Sequence, residues 1–371
     1  MKTAVAYSIE TELAQRLIGQ PQAIRAIAPY VEMHRSGLSP EGRPAGVFLL
    51  LGPSGSGKTK TVEALAEVLH GSERNVLRID CAEFQMEHEV AKLIGAPPGY
   101  LGHRETQPVL TQQKVSAVTS DHSNLALVLF DEIEKAAPSL LRLLLGVLDK
   151  ASLRLGDNTQ VSFEKSLIFL TSNIGAAEIS KRLTNAWGIG PPGTTDASDM
   201  AKVTRSALRR SFAPEFLNRI DVKIAYEPLS PAALDRILTL ELARLQSHIS
   251  RRLGARQFSV EMSGPARDWV LAESESAEYG AREMKRVLHQ AVLHPIAQLV
   301  VAGQYSPGGR MVVSRSRNGL RITASPPPER PTRVRSRGRK PTAAPAAASG
   351  KHSLLLPNIV GSIEPEDASS E

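Results

Sequence analysis

Unbroken apolar runs alternate with stretches of helical periodicity along the first half of the chain. Val47–Leu51 and Leu125–Phe130 are apolar throughout, as expected of strands covered on both faces. Asn75–Asp80 (NVLRID) and Lys165–Ser172 (KSLIFLTS) read as two further strands. Between them the pattern predicts a helix over Ser8–Arg16 with a serine cap, then a break at Gly19. A second helix starts with Pro21 in its first turn and runs to about His34. More helices are expected over TKTVEALAEVL, Glu87–Ile94, Val109–Val118 and Pro138–Leu148. This alternation predicts an α/β fold: a parallel sheet with helices on both faces and ligand groups gathered at the carboxyl ends of the strands.

The pattern then changes. Ile174–Ser211 is poor in strand signals and contains a Gly/Pro/Thr-rich loop, Trp187–Asp199. From Leu229 to about Ser325 the periodicity is mostly helical. It opens with Ser230 as cap and Pro231 at the first helical position, and closes on a short β-pair (RMVVSRS, GLRITAS). Three regions are therefore expected: a large α/β subdomain over residues 1–228, a smaller, mostly helical one over 229–325, and a tail over 326–371. The tail is rich in Pro, Ala and Arg, has no apolar period, and is expected to be disordered.

Charge and composition narrow the choice. The 371 residues carry 45 Lys and Arg against 38 Asp and Glu, a formal excess of +7 that raises the question of nucleic acid. Six of those bases fall in Glu329–Lys340 beside one acid, yet no aromatics are interleaved for base stacking, so a solvated linker is the preferred reading. No apolar run approaches the ~20 residues that span a bilayer, and the N-terminus has neither a signal-peptide nor a transit-peptide pattern. The single cysteine, Cys81, excludes an internal disulfide framework and a cysteine-based zinc cluster. A cytoplasmic protein without a membrane partner is expected.

The chemistry centres on GVFLLLGPSGSGKT, Gly46–Thr59, a strand running into a loop and then a helix. Gly52, Gly57, Lys58 and Thr59 complete the spacing G-x-x-x-x-G-K-[ST]. Glycines let the loop of Gly52, Pro53, Ser54, Gly55, Ser56 and Gly57 curl so that its N–H groups, which Pro53 lacks, point inward at phosphate oxygens, and the helix N-terminus adds its partial positive charge. Lys58 can reach the β- and γ-phosphates and the Thr59 hydroxyl can ligate Mg²⁺. The strand LALVLF delivers Asp131 and Glu132: the first to hold Mg²⁺, the second to polarise an attacking water. Asn173, after the next apolar strand, could orient the same water. A nucleoside triphosphate site follows.

Seven blocks resemble, in register, the C-terminal AAA+ module of the Clp unfoldases (ClpA, ClpB and ClpC): LIGQPQAIRAI, GPSGSGKT, KLIGAPPGYLG, LVLFDEIEKA, FLTSNIG, FAPEFLNRID and YGAREMKR. The resemblance spans about Leu17–Arg286. It implies a P-loop AAA+ ATPase using ATP and Mg²⁺, with Ile18 and Gly19 against the adenine, Lys58 and Thr59 as Walker A, and Asp131 and Glu132 as Walker B. Asn173 would be sensor 1 and Arg282 sensor 2. Arg219 would be an arginine finger reaching the nucleotide of a neighbouring subunit; its local alternative is a surface pair with Glu215 or Asp221. Tyr100, with Leu101, matches the pore loop that grips polypeptide in this family.

The implied activity is ATP-driven unfolding or remodelling of polypeptides threaded through a homo-oligomeric ring, with six subunits as the family number. The alternatives are a nucleotide-dependent scaffold or adaptor ring and the regulatory subunit of a protease. Without an upstream AAA+ module, an N-terminal substrate domain or a coiled-coil insertion, a single-ring form is expected. After GAPPGYLG this chain has HRETQP where the family has a Gly-Gly stretch. Docking to a ClpP-like protease is disfavoured, because the nearest candidate tripeptide, Ile189-Gly190-Pro191, has proline at the anchoring position.

Overall fold

The apolar runs form the middle of a parallel sheet in the computed structural model, which describes residues 8–95, 108–175, 206–274 and 280–327. The strands are β1 (Gly46–Leu51), β2 (Leu77–Asp80), β3 (Ala126–Asp131), β4 (Ser152–Arg154), β5 (Gln160–Ser162), β6 (Ser166–Ser172) and β7 (Val222–Ala225). Five of them make one sheet in the order β2-β3-β6-β1-β7, all neighbours parallel. β1, β3 and β6 are buried along their whole length, so each strand supplies both faces of the core. On one face Phe48, Leu50, Leu127 and Phe169 pack with helices Ile9–Arg16, Pro21–Arg35 and Lys58–His70. On the other, Leu49, Val128, Phe130 and Ile168 pack with Glu87–Ile94 and Pro138–Lys150. The expected α/β sheet with helices on both faces is found.

A separate core lies beyond Leu229. The helix Pro231–Leu253 starts as expected, with the Ser230 hydroxyl accepting the Ala233 amide at 3.2 Å. Leu238, Val270, Met284, Val292 and Met311 are at the centre of this core. The expected β-pair is β9 (Arg310–Ser316) with β10 (Gly319–Ser325), antiparallel.

Several local expectations need correction. The strand expected over Asn75–Asp80 begins at Leu77. The helix expected over Val109–Val118 spans only Gln112–Ala117. Its amino end is set by Thr111, whose hydroxyl accepts the Lys114 amide, while the Val109 and Leu110 amides are spent on the carbonyls of Lys92 and Leu93. The helix from Pro138 continues to Lys150, where Ala151 turns left-handed at φ +47°. β7, in a segment for which the sequence pattern names no element, joins the main sheet. β8 (Ser259–Met262) adds a third, parallel strand beside β9. The β4–β5 hairpin was also missed. Its turn carries Asn158 at φ +69°, next to Asp157, whose carboxylate accepts the Thr159 amide. Tyr100, Leu101, the Trp187–Asp199 loop with its Ile189-Gly190-Pro191 tripeptide, and the tail from Pro328 lie outside the described residues.

Candidate nucleotide site

The loop after β1 keeps its shape through glycines that no other residue could replace unstrained. Gly52 has φ +147°, and a Cβ there would lie 2.6 Å from the Tyr226 carbonyl oxygen. Gly57 has φ +105° at the mouth of the helix Lys58–His70. Tyr226 itself is fixed by its buried hydroxyl, which lies 2.7 Å from Thr61 Oγ1. Beneath the loop, Gln20 is fully buried, and its amide donates to the carbonyls of Ser56 and Glu227, both at 2.9 Å. One side chain thus ties the phosphate loop to the chain leaving β7.

Lys58 is the electrostatic centre. Its ammonium donates to Gly52 O at 2.7 Å, Pro53 O at 2.9 Å and Asn173 Oδ1 at 2.9 Å, which uses all three of its hydrogens. Burial lowers its pKa from the ordinary lysine value to about 8, opposed first by the nearby Glu134 carboxylate and then by Asp131. Asn173 is oriented in turn, since its backbone amide donates to Glu134 Oε1 at 3.0 Å.

Asp131 ends β3 with both carboxylate oxygens engaged: Oδ1 accepts the Thr171 hydroxyl and Oδ2 is paired with the Arg78 guanidinium. Glu132 follows in the left-handed region at φ +56°, rare for a residue with a side chain. Its amide donates to Thr171 Oγ1 at 3.0 Å and its carboxylate pairs with Lys135. Thr171 therefore braces both acids of the pair.

Lys58, Arg78, Asp131, Glu132, Thr171 and Asn173 line a cleft of about 480 Å³, together with Ser54, Gly55, Ser56, Gly57 and Thr59. The far wall comes from beyond Leu229 and includes Leu229, Ile237, Leu240 and Arg282. Arg282 Nη1 donates to Ser54 Oγ at 2.9 Å. A Cβ on Gly280 would meet Gly55 O at 3.0 Å, so the two cores close tightly over the loop. Seven Lys and Arg side chains line the cleft against five carboxylates, a balance that favours an anionic ligand.

Leu17 and Ile18 line the same cleft. Gly19 does not: at φ +83° it packs beneath Leu229 and Ala233. Gly52 and Pro53 meet the site through their carbonyls to Lys58 rather than along the cleft wall. Arg219 stands apart from the cleft, paired with Asp149 and, at 3.3 Å, with Glu215. Asp221, the other surface partner considered from the sequence, instead accepts the Val47 amide at 2.8 Å and pairs with Arg43.

Comparison with known proteins agrees with this fold. Residues 43–223 match the family described as "AAA domain (Cdc48 subfamily)", and residues 229–313 match the "C-terminal, D2-small domain, of ClpB protein". The chain thus carries an AAA domain followed by a ClpB-type small domain and is homologous to the ClpB chaperones. It is 36% identical over 319 residues to chaperone protein ClpB of Rhodopseudomonas palustris, covering 86% of this chain and 34% of that protein. Against ClpB of Pseudomonas putida it is 40% identical over 304 residues, covering 81% of this chain and 33% of that one. The chain thus spans about a third of the length of the curated relatives it matches. Among solved structures, the closed state of Hsp104 with ATPγS and casein aligns with TM-score 0.71 and 26% identity, over 85% of this chain and 51% of that one. The extended Saccharomyces cerevisiae Hsp104–casein complex aligns with TM-score 0.72 at the same identity and coverage.

Four residues that bear on the site were missed in the sequence: Gln20, Arg78, Glu134 and Thr171. Thr171 and Arg78 left only a weak signal, as polar positions in strands that also carry Ser166 and Ser172, and Asp80. Glu134 and Gln20 left none, because their partners are distant in sequence.

Proposed function

We propose that this chain is the ATP-hydrolysing unit of a ring that remodels polypeptides. The observation that carries the reading is convergence: Lys58, Asp131 with Glu132, Asn173 and Arg282, from four separate segments, line one cleft between two cores. Leu17, Ile18, Leu229, Ile237 and Leu240 offer an apolar wall suited to a purine base. Lys58 and the loop amides suit the phosphates.

The donor set fits Mg²⁺, which takes a hydroxyl and a carboxylate beside phosphate oxygens and water. Thr59 and Asp131 would hold it, and when bound it would neutralise charge on the β- and γ-phosphates. Glu132 would take the proton of the attacking water, and Asn173, steadied by Glu134, would orient that water. Arg282 is carried by the second core, so a phosphate-dependent contact there would couple hydrolysis to the angle between the cores.

Arg219 lies outside its own cleft, which supports a role at the nucleotide of a neighbouring copy, in a ring of six as the family resemblance implies. Tyr100 and Leu101 would grip the polypeptide in the pore. The Hsp104 structures contain casein, which makes casein a suitable test polypeptide. In the purified protein, casein should stimulate ATP turnover. Glu132→Gln should retain ATP binding while turnover falls about 100-fold. Undiminished turnover in that variant would remove Glu132 from the chemistry.

A further inference from the structure

Arg78 is placed to act on Asp131 by the register of two strands. In β2, Leu77 and Ile79 turn to the core while Arg78 and Asp80 turn to the exposed side. β2 pairs with β3 so that Arg78 lies opposite Leu129 and Asp80 opposite Asp131. Asp131 is on the same face as Leu129, two residues on, so the guanidinium reaches it along the diagonal. The partners differ in exposure: the Asp131 side chain is 13% exposed and that of Arg78 53%. A fixed, nearly buried carboxylate is thus neutralised by a long arm anchored at one end only.

The neighbouring groups leave this duty to Arg78. Lys58 has spent its hydrogens on Gly52, Pro53 and Asn173, and Arg282 is held by Ser54. The Thr171 hydroxyl on Oδ1 supplies a hydrogen bond but no charge. A cation arriving at Asp131 therefore meets one oxygen braced by Thr171 and the other covered by a guanidinium.

We propose that Arg78 is a displaceable counter-ion of Asp131, which covers Oδ2 until a divalent cation enters with nucleotide and then gives way to it. Arg78 would thereby set the cation concentration at which nucleotide binding becomes tight. The inference rests on the reading of the cleft as a Mg²⁺–nucleotide site. Exchange of a monovalent for a divalent partner keeps the buried carboxylate neutralised throughout, so neither state leaves it as an isolated charge. The freed guanidinium remains at the cleft wall, where phosphate oxygens are the nearest new acceptors.

The test is binding of a fluorescent ADP analogue while Mg²⁺ or Mn²⁺ is titrated in. In Arg78→Gln the half-saturating cation concentration should fall about fivefold, the range of a half-exposed ion pair. Arg78→Lys, which keeps the charge, should stay closer to the parent. Affinity for the analogue in EDTA, measured for all three, is the reference against which the cation dependence is read. An unchanged or higher cation requirement in Arg78→Gln would overturn the proposal. A second measurement needs no variant: in a structure of the parent protein with Mg²⁺ and ADP, Arg78 should stand clear of Asp131 Oδ2, and continued contact would also overturn it. If the analogue failed to bind both with cation and in EDTA, the nucleotide reading itself would fail. That outcome is distinct from binding whose cation dependence ignores Arg78.

Discussion

Lys58 and Arg219 are both cations held by oxygen atoms of their own chain, yet their surroundings are opposite. Lys58 is buried at the end of the sheet, with all three hydrogens accepted and burial pulling its pKa down to about 8. Arg219 lies in a small pocket with Arg43, Asp149 and Glu215, against carboxylates that are themselves partly solvated. The first is a site completed within one subunit. The second is a charge whose partners can be exchanged, since exposed ion pairs contribute only about 0–1 kcal/mol. Under the proposed reading the difference separates binding from turnover: Lys58 would hold the ligand within one chain, while Arg219 would be available to another copy.

The sharpest way to break that comparison is Arg219→Ala. Arginine fingers contribute ~10³-fold or more to phosphoryl transfer. ATP turnover of the assembled protein should fall by about that factor while nucleotide affinity stays within about twofold, the size of an exposed pair. Steady-state turnover and equilibrium binding measured on the same preparation check both halves. Weakened binding with intact turnover would reverse the roles assigned to the two cations.

Lys58→Ala should give the complementary result, a loss of nucleotide affinity of about 100-fold. That corresponds to ~2–3 kcal/mol, as expected for a charged hydrogen-bond donor in a partly desolvated site. Calorimetric titration with ADP measures it. A variant that bound nearly as tightly as the parent would mean that the loop amides alone hold the phosphates.

The two cations were also unequally legible before the structure. Lys58 could be read because its chemistry is contiguous: strand, glycines, lysine and helix follow one another, and local geometry dictates their order. The fully buried β1, β3 and β6 were legible for the same local reason, each being an apolar run long enough to stand out. β7 and β8 were not, because four residues with partial burial give too short a pattern. Arg78 and Glu134 take their meaning from strand register and from Asn173, neither of which spacing along the chain encodes. Arg219 in LNRID was singled out only through family resemblance; nothing in its local sequence separates it from a solvated arginine, and its pairing with Asp149 depends on where the helix Pro138–Lys150 ends.

The smallest effect expected is on pH dependence, and it refines the description of Lys58. Burial favours the neutral amine, so the folded protein loses this proton near pH 8, while the unfolded chain keeps it up to the ordinary lysine value of 10.5. Below pH 8 both states are protonated, and charging a buried group carries a constant cost to stability. Between 8 and 10.5 the unfolded state holds the extra proton, so Lys58's contribution to stability becomes more favourable as pH rises. Nucleotide binding should run the other way, because phosphate oxygens favour the ammonium and raise its pKa in the complex. Affinity for ADP should be flat from pH 7 to about 8 and then decline, by at most about tenfold per unit, with uptake approaching one proton. Calorimetry at pH 9 in two buffers of different ionisation enthalpy counts that proton directly. Equal heats in the two buffers, or an affinity unchanged from pH 7 to 9.5, would mean that Lys58 stays charged in the free protein and that its three carbonyl and amide acceptors outweigh its burial.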